Sequence, residues 1–370
     1  MTKNGSGTLR INPSSTYSGA TTINGGKLQI HNTAGTIGWD AGTIAINNGS
    51  TLEFTGTGQT VFEGAGDNIT FDSAGGGSIL LTKNPIFRTG TSIITTGGAM
   101  NTISGTWFNG QNVYFITYDT AVGTGAAALQ VASNHSLIGI IKNGLGTLLL
   151  TDVSNGMAQT GNTLTINAGT LEIGSAGRLN AGSYDRAITN NGTFSYNSTA
   201  AQTLSGNITG TGNLTKSNNS TLTLSGANTY TGLTTINAGT LAISNNMTIG
   251  AITGAGNMTL GSGFTLTTNS STNSTFSGVI SSSGALMKNG NSTLTLSGNN
   301  TYSGGTTLNA GGININAATA IGNGTLTIVS GTLDNTSGAN LTLASNNAQN
   351  WNGNFTFTGT NDLNMGTGAV

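Results

Sequence analysis

The stretch from Leu222 to Ser244 reads LTLSGANTYTGLTTINAGTLAIS, and it returns from Leu294 to Asn316 as LTLSGNNTYSGGTTLNAGGININ. The two copies are offset by 72 residues, Tyr230 to Tyr302, and the match continues upstream. There Gly206, Ile208, Gly212 and Leu214 correspond to Gly278, Ile280, Gly284 and Leu286. A third copy opens the chain: Lys3, Tyr17 and Ile23 are spaced as Lys216, Tyr230 and Ile236 are, and as Lys288, Tyr302 and Leu308 are, in steps of 14 and 6. A fourth, from Lys142 to Ile173, lacks the Tyr, and its Lys-to-Ile distance is 24 residues where the others have 20. Internal repetition of this kind constrains the fold more than any other feature of the chain, because it means stacked units sharing one continuous core.

Each unit alternates polar and apolar residues over short runs. Thr221-Leu222-Thr223-Leu224 does so, and Gly239-Thr240-Leu241-Ala242-Ile243-Ser244 does so again, which is the period of a strand with one buried face. Between the runs lie Ser-Gly, Thr-Gly and Asn-Ala-Gly, residues that turn a backbone through positive φ at least cost. No helical periodicity interrupts the pattern. The expected fold is therefore all-β, a coil of parallel strands in which 72 residues make about three rungs of ~24. On that spacing Tyr230 and Tyr302 take equivalent positions on one side of the coil, with Leu222 and Leu294 inside it.

The expected organisation is one continuous β-solenoid over residues 1–370, clearest at 1–30, 142–173, 206–244 and 278–316, with divergent rungs at 60–135. Within the divergent part, Trp107, Phe108, Tyr114 and Tyr118 belong to a concentration of aromatics. They are the candidate ligand contacts, since flat aromatic faces stack on sugar rings; the competing reading is core packing. The lysines at positions 3, 142, 216 and 288 recur at one repeat position and are expected on the solvated side of a turn.

Charged residues make up 6% of the chain, 10 Lys and Arg against 11 Asp and Glu. No basic face for nucleic acid follows from that balance. Yet 35% of the residues are hydrophobic and ordered in alternation, which argues against charge-driven disorder. Cysteine is absent, so neither a disulfide framework nor a thiolate metal site is available. No run of about 18 apolar residues suggests a transmembrane helix, and no targeting segment precedes the first repeat. That leaves a cytosolic rod or a piece of a longer exported protein, and the lack of a recognisable cap at either end of the coil favours the second expectation.

The residues from Leu222 to Leu241 resemble the autotransporter-associated β-strand repeat, also called the passenger-associated transport repeat. The copy from Leu294 is nearly as close, that from Gly7 to Ile30 is partial, and the Lys142 copy is similar at its two ends. The resemblance implies a right-handed parallel β-helix in the exported passenger of a bacterial autotransporter, or in a similar large surface protein, where the repeat assists export and folding. It transfers no catalytic or binding residue.

Chemistry that a parallel β-helix can carry finds little to work with. Polysaccharide cleavage needs paired carboxylates or an acidic Ca²⁺ site with a basic neighbour, and only Asp67 and Asp72, followed by Lys83 and Arg88, come near that pattern. A solvated turn accounts for them. Gly64-Ala65-Gly66-Asp67 is a lone copy of a motif that binds Ca²⁺ only in tandem. His31 and His135 have no metal-ligand partner at a suitable spacing, and no Ser-His-Asp triad assembles.

The function expected is that of an exported bacterial surface stalk or scaffold that aids passenger secretion and folding: not an enzyme, with no catalytic residue, metal or cofactor, located extracellularly or at the cell surface. Its ends, as open strand edges, are expected to associate head to tail into filaments. The alternative is an adhesin or glycan-binding module acting through the Trp107–Tyr118 cluster on a glycan or host-surface ligand. A polysaccharide-cleaving enzyme is the weakest of the three.

Overall fold

The computed structural model describes residues 1–12, 19–33, 36–39, 42–56, 59–62, 68–71, 77–81, 85–87, 92–95, 100–110, 113–117, 127–137, 139–151 and 163–370. These fall into two compact units, Met1–Phe194 with Ser198–Ala200, and Ser195–Asn197 with Ala201–Val370. Both are β-solenoids of short parallel strands, and among the described residues no α-helix occurs, only a 3₁₀ turn at Asn180–Gly182.

In the first unit, one ladder runs through Thr2–Lys3, Thr21–Ile23, Thr43–Ile46 and Asn68–Phe71, and continues to Gly139–Asn143, Thr163–Ile166 and Ile188–Asn190. A second carries Lys27–Asn32, Thr51–Gly56 and Ser78–Leu81, and later Thr147–Leu150 and Thr170–Ser175. The alternation aims every second side chain inward. Leu28, Leu52, Ile79, Ile103, Val131, Leu150 and Ile173 accordingly stack one upon the next, all fully buried. Each such side chain contributes roughly 1.5–3 kcal/mol by leaving water.

The second unit has three long ladders and one short pair, Leu341–Thr342 with Leu363–Asn364. One passes through Asn213–Lys216, Thr234–Ile236, Ile252–Gly254, Ser274–Phe276, Thr293–Leu296 and Gly312–Ile315. Another holds Gln202–Leu204, Thr221–Leu224, Thr240–Ile243, Asn257–Leu260 and Ile280–Ser282. The third holds Met247–Ile249, Thr265–Asn269, Ala285–Asn289, Thr306–Leu308 and Leu326–Ile328.

Leu222 and Leu294 are both buried, as expected, but the two repeats do not present the same face. Leu222 stacks through Leu241 and Met258 to Ile280, whereas Leu294 belongs to the ladder of Leu214, Thr234 and Ile252, where it pairs with Ser274. Tyr230 and Tyr302 likewise lie on different sides: Thr229 pairs with Ile208 below it, and Thr301 pairs with Ile280. The expectation of three equal rungs per 72 residues is thus corrected. Rungs here step by about 20 residues, as the bond from the Ile208 amide to Asn228 illustrates, and individual turns lengthen or shorten that step. The repeat distance is not a whole number of rungs, so successive copies rotate about the coil.

Candidate functional site

The four recurring lysines are not on the solvated side of a turn. Lys3, Lys142, Lys216 and Lys288 are 7%, 0%, 0% and 1% exposed. Each occupies an inward strand position, and each ammonium donates to three backbone carbonyls. Lys216 Nζ reaches Ser217 O at 2.6 Å, Asn218 O at 2.8 Å and Ala238 O at 3.3 Å. Lys288 Nζ reaches Asn289 O at 2.6 Å, Gly290 O at 3.0 Å and Ala310 O at 3.3 Å. Lys142 bonds the carbonyls of Asn143, Gly144 and Ala168, and Lys3 those of Asn4, Gly5 and Gly25.

The geometry is the same four times. Two acceptors come from the turn that follows the lysine, and the third comes from the next rung, just past the residue that pairs with the lysine: Ile23, Ile166, Ile236 or Leu308. A primary ammonium has three donors, so the cradle uses all of them and ties one rung to the next. Dehydration still outweighs the carbonyl dipoles: burial pushes Lys142 down to about 7, and Lys216 and Lys288 each down to about 8, from the usual 10.5.

The glycine of the Asn-Ala-Gly turn closes the cradle. Gly239 has φ +69, and a Cβ there would lie 2.3 Å from Asn218 O and 2.9 Å from Lys216 Nζ. Gly311, at φ +75, sits in the same way over Lys288. Only a residue without a side chain fits both the conformation and the contact.

A second buried polar set explains the Asn-x-Tyr spacing. Asn300 accepts the Ile280 amide at 2.7 Å and donates to Ala320 O at 2.5 Å, joining three successive turns of chain. Asn228 accepts the Ile208 amide in the same manner. The hydroxyls of Tyr230 and Tyr302 meet Thr234 and Thr306 at 2.7 and 2.5 Å. Burial holds both phenols well above their usual range, against a smaller lowering from those threonine bonds.

On the outside of the second unit, an open groove of about 600 Å³ runs over Thr253, Thr275, Thr295 and Asn314, beside Thr272 and Asn273. None of its lining side chains is charged, so it offers no general acid or base. A smaller apolar hollow of about 190 Å³ is lined by Leu333, Trp351, Phe355 and Phe357, with Trp351 and Phe357 half exposed. Among the described residues, no three His, Asp or Glu side chains are grouped to hold a metal ion.

The sequence-derived aromatic candidates are only partly located. Trp107 and Phe108 lie on the strand Asn101–Gly110, where Phe108 pairs with His135. Tyr114 lies on Val113–Thr117, in another ladder, paired with Ser92. Tyr118 is outside the described residues, as are Asp67, Asp72, Lys83 and Arg88. His31 bonds Thr55 Oγ1 through Nδ1 at 2.8 Å.

The family model of the passenger-associated-transport-repeat matches residues 1–30, 140–173, 214–243 and 286–315. The chain carries this repeat four times. In each match the third residue is the cradled lysine, so the repeat and the cradle are one unit. The chain is also similar to the adhesin BmaC autotransporter of Brucella suis biovar 1 (strain 1330), 27% identical over 436 aligned positions that take in 84% of this chain. It spans 12% of that relative's length. No solved structure matches. Among the described residues, no helix is long and apolar enough to cross a membrane, which says nothing of a β-barrel.

The lysine cradle was the feature that charge-based reasoning missed. Its signal was present in the alternation: Leu214 inward, Thr215 outward, Lys216 inward.

Proposed function

We propose that this chain is a segment of an exported passenger displayed at the bacterial surface, where it serves as a β-solenoid scaffold whose transport repeats lock successive rungs during folding. The observation that carries this is the coincidence of repeat and cradle. Every matched segment supplies one buried lysine and takes its third carbonyl from the following rung. Similarity to an autotransporter over most of the chain supports export. The segment performs no catalysis.

The test is to place the chain between a signal peptide and an autotransporter translocator barrel, and to follow protease digestion of intact cells. The wild-type segment is expected outside the cell with a protease-resistant core, and the variant with all four cradled lysines changed to Met is expected to be displayed less and cut faster. Retention of the wild-type segment inside the cell would sink the proposal.

A second reading is favoured by the relative's being an adhesin. Here Trp107, Phe108, Tyr114 and Tyr118 meet a glycan or host surface. Equal binding of wild type and of Trp107→Ala/Tyr114→Ala to a glycan array would remove it. End-to-end association belongs to the scaffold reading, since the hollow at Trp351, Phe355 and Phe357 is apolar enough to accept the rung of a second copy. Electron microscopy over a concentration series reads it: uniform single particles at every concentration count against it.

A further inference from the structure

Between Arg186 and Asp334 the sequence contains two charged residues, Lys216 and Lys288. Both are in the interior. Everything that this stretch shows to a partner is therefore uncharged, and the open groove of about 600 Å³ lies wholly within it. An ionic ligand has nothing there to hold.

The groove is nonetheless well supplied with polar groups. Thr253, Thr275, Thr295 and Asn314 are outward positions on four successive rungs of one ladder, and rungs lie about 4.8 Å apart. The turn 270–273 beside them is braced: Ser270 Oγ donates to Thr272 O at 3.1 Å and accepts the Thr272 amide at 3.0 Å. Asn273 Oδ1 accepts the Thr293 amide of the next rung at 2.8 Å, which fixes the direction of its Nδ2 donors. Asn314 donates to Thr295 Oγ1 at 3.1 Å, which turns its Oδ1 into the available acceptor. Thr272 and Thr275 are exposed, and a hydroxyl both gives and takes a hydrogen bond. Leu233, 38% exposed, and Ala251 add an apolar strip to the lining.

We propose that this groove is a binding site for an uncharged polysaccharide laid along the rungs. A sugar ring has the complementary make-up, with hydroxyls that donate and accept at its edge and C–H groups on its faces. Thr272, Asn273, Thr275 and Asn314 bond the hydroxyls, and Leu233 packs against a ring face. Nucleic acid and sulfated glycans lack the surface cations they need. An added peptide strand needs a free sheet edge, whereas the strands Ile252–Gly254, Ser274–Phe276, Thr293–Leu296 and Gly312–Ile315 are each paired on both sides. Because the turn is braced before any ligand arrives, little ordering is left for binding to impose.

The inference goes beyond the scaffold reading, and its test needs neither export nor the aromatic candidates. The purified full chain is run by affinity electrophoresis through gels holding dextran, mannan or soluble starch, with polygalacturonate and heparin as charged controls, at low and at high salt. The expected result is retardation by at least one of the neutral polysaccharides, unchanged by salt, and unchanged in Trp107→Ala/Tyr114→Ala. Thr272→Val/Thr275→Val should weaken it about tenfold, the effect of two lost hydrogen bonds, while Thr275→Ser, which keeps the hydroxyl, should bind as the wild type does. Urea unfolding checks that the variants are folded; if the double variant is not, Thr272→Val is scored alone, since its side chain stands on a turn outside the ladders. No retardation by any neutral polysaccharide, retardation that fades with salt, or equal retardation of the wild type and the valine variant overturns the proposal. Each of those results leaves the scaffold reading standing, and a loss confined to the Trp107 and Tyr114 variant moves the contact to the aromatic candidates instead.

Discussion

Replacing Asn300 with Ala tests the interior polar bonds most severely. The side chain is fully buried, and its loss leaves the Ile280 amide and the Ala320 carbonyl without their side-chain partner in a space that water does not reach. A buried group left unsatisfied costs about 1–3 kcal/mol, so the pair amounts to roughly 2–6 kcal/mol. Asn299, its neighbour, is exposed, and Asn299→Ala should stay within about 0.5 kcal/mol. Because rungs contact only their neighbours and a repeat array need not unfold as one, the assay is native-state hydrogen exchange. It is read at the amides of Thr301 and Ser303, which keep their own bonds to Ile280 and Ser282. A loss of 2 kcal/mol speeds exchange there about 30-fold, at a tenfold change per 1.4 kcal/mol. Acceleration below about threefold, or equal to that of Asn299→Ala, would refute the claim that Asn300 ties the rungs together.

Other changes grade the same interior. Tyr302→Phe should cost only about 0.5–1.5 kcal/mol in urea unfolding, because Thr306 Oγ1 still donates to the carbonyl of Ile321; a loss above 3 kcal/mol would mean the hydroxyl has another partner. Gly239→Ala forces a side chain into φ +69 and against Asn218 O, so a destabilisation of at least about 2 kcal/mol is expected, and a neutral result would place that turn elsewhere. For Asp334, burial raises the carboxyl's affinity for a proton, but bonds from Thr360, Asn335 and Gly359 outweigh it and hold it below 3.8. The stability it contributes is therefore present above 3.8 and lost as pH falls through the lower folded value. Asp334→Ala should flatten the acid limb of the unfolding curve, and an unchanged limb would dismiss the assignment.

Strand positions were legible because each short run obeys a period of two: Thr221 to Leu224 reads half-buried, buried, half-buried, buried, as its letters suggest. The inward lysines obeyed the same period, and only the general cost of burying an ammonium argued against them. That cost is offset in part here by backbone carbonyls, which a sequence does not display. Tyr230 and Tyr302 continue the same inward alternation after the exposed Thr229 and Thr301, but the inward position before each is Asn228 or Asn300, a polar letter that hides the pattern in the sequence. Rung length was the least legible quantity. Turns such as Ser270 to Asn273 change the step without changing the strands, and a 72-residue identity therefore hides a rotation about the coil. The aromatic candidates were chosen for chemistry that the sequence pattern does not position.

Cysteine cross-linking tests the rung register directly, in a chain that has no cysteine of its own. Thr235 and Thr253 are half-buried neighbours on adjacent rungs, and adjacent strands lie about 4.8 Å apart, within the Cα separation a disulfide spans. Three equal rungs per 72 residues would instead set Thr235 beside Thr259, which here belongs to the ladder of Ala242. The account predicts that Thr235→Cys/Thr253→Cys closes a disulfide under mild oxidation while Thr235→Cys/Thr259→Cys stays reduced; cross-linking of the second pair and not the first would contradict it.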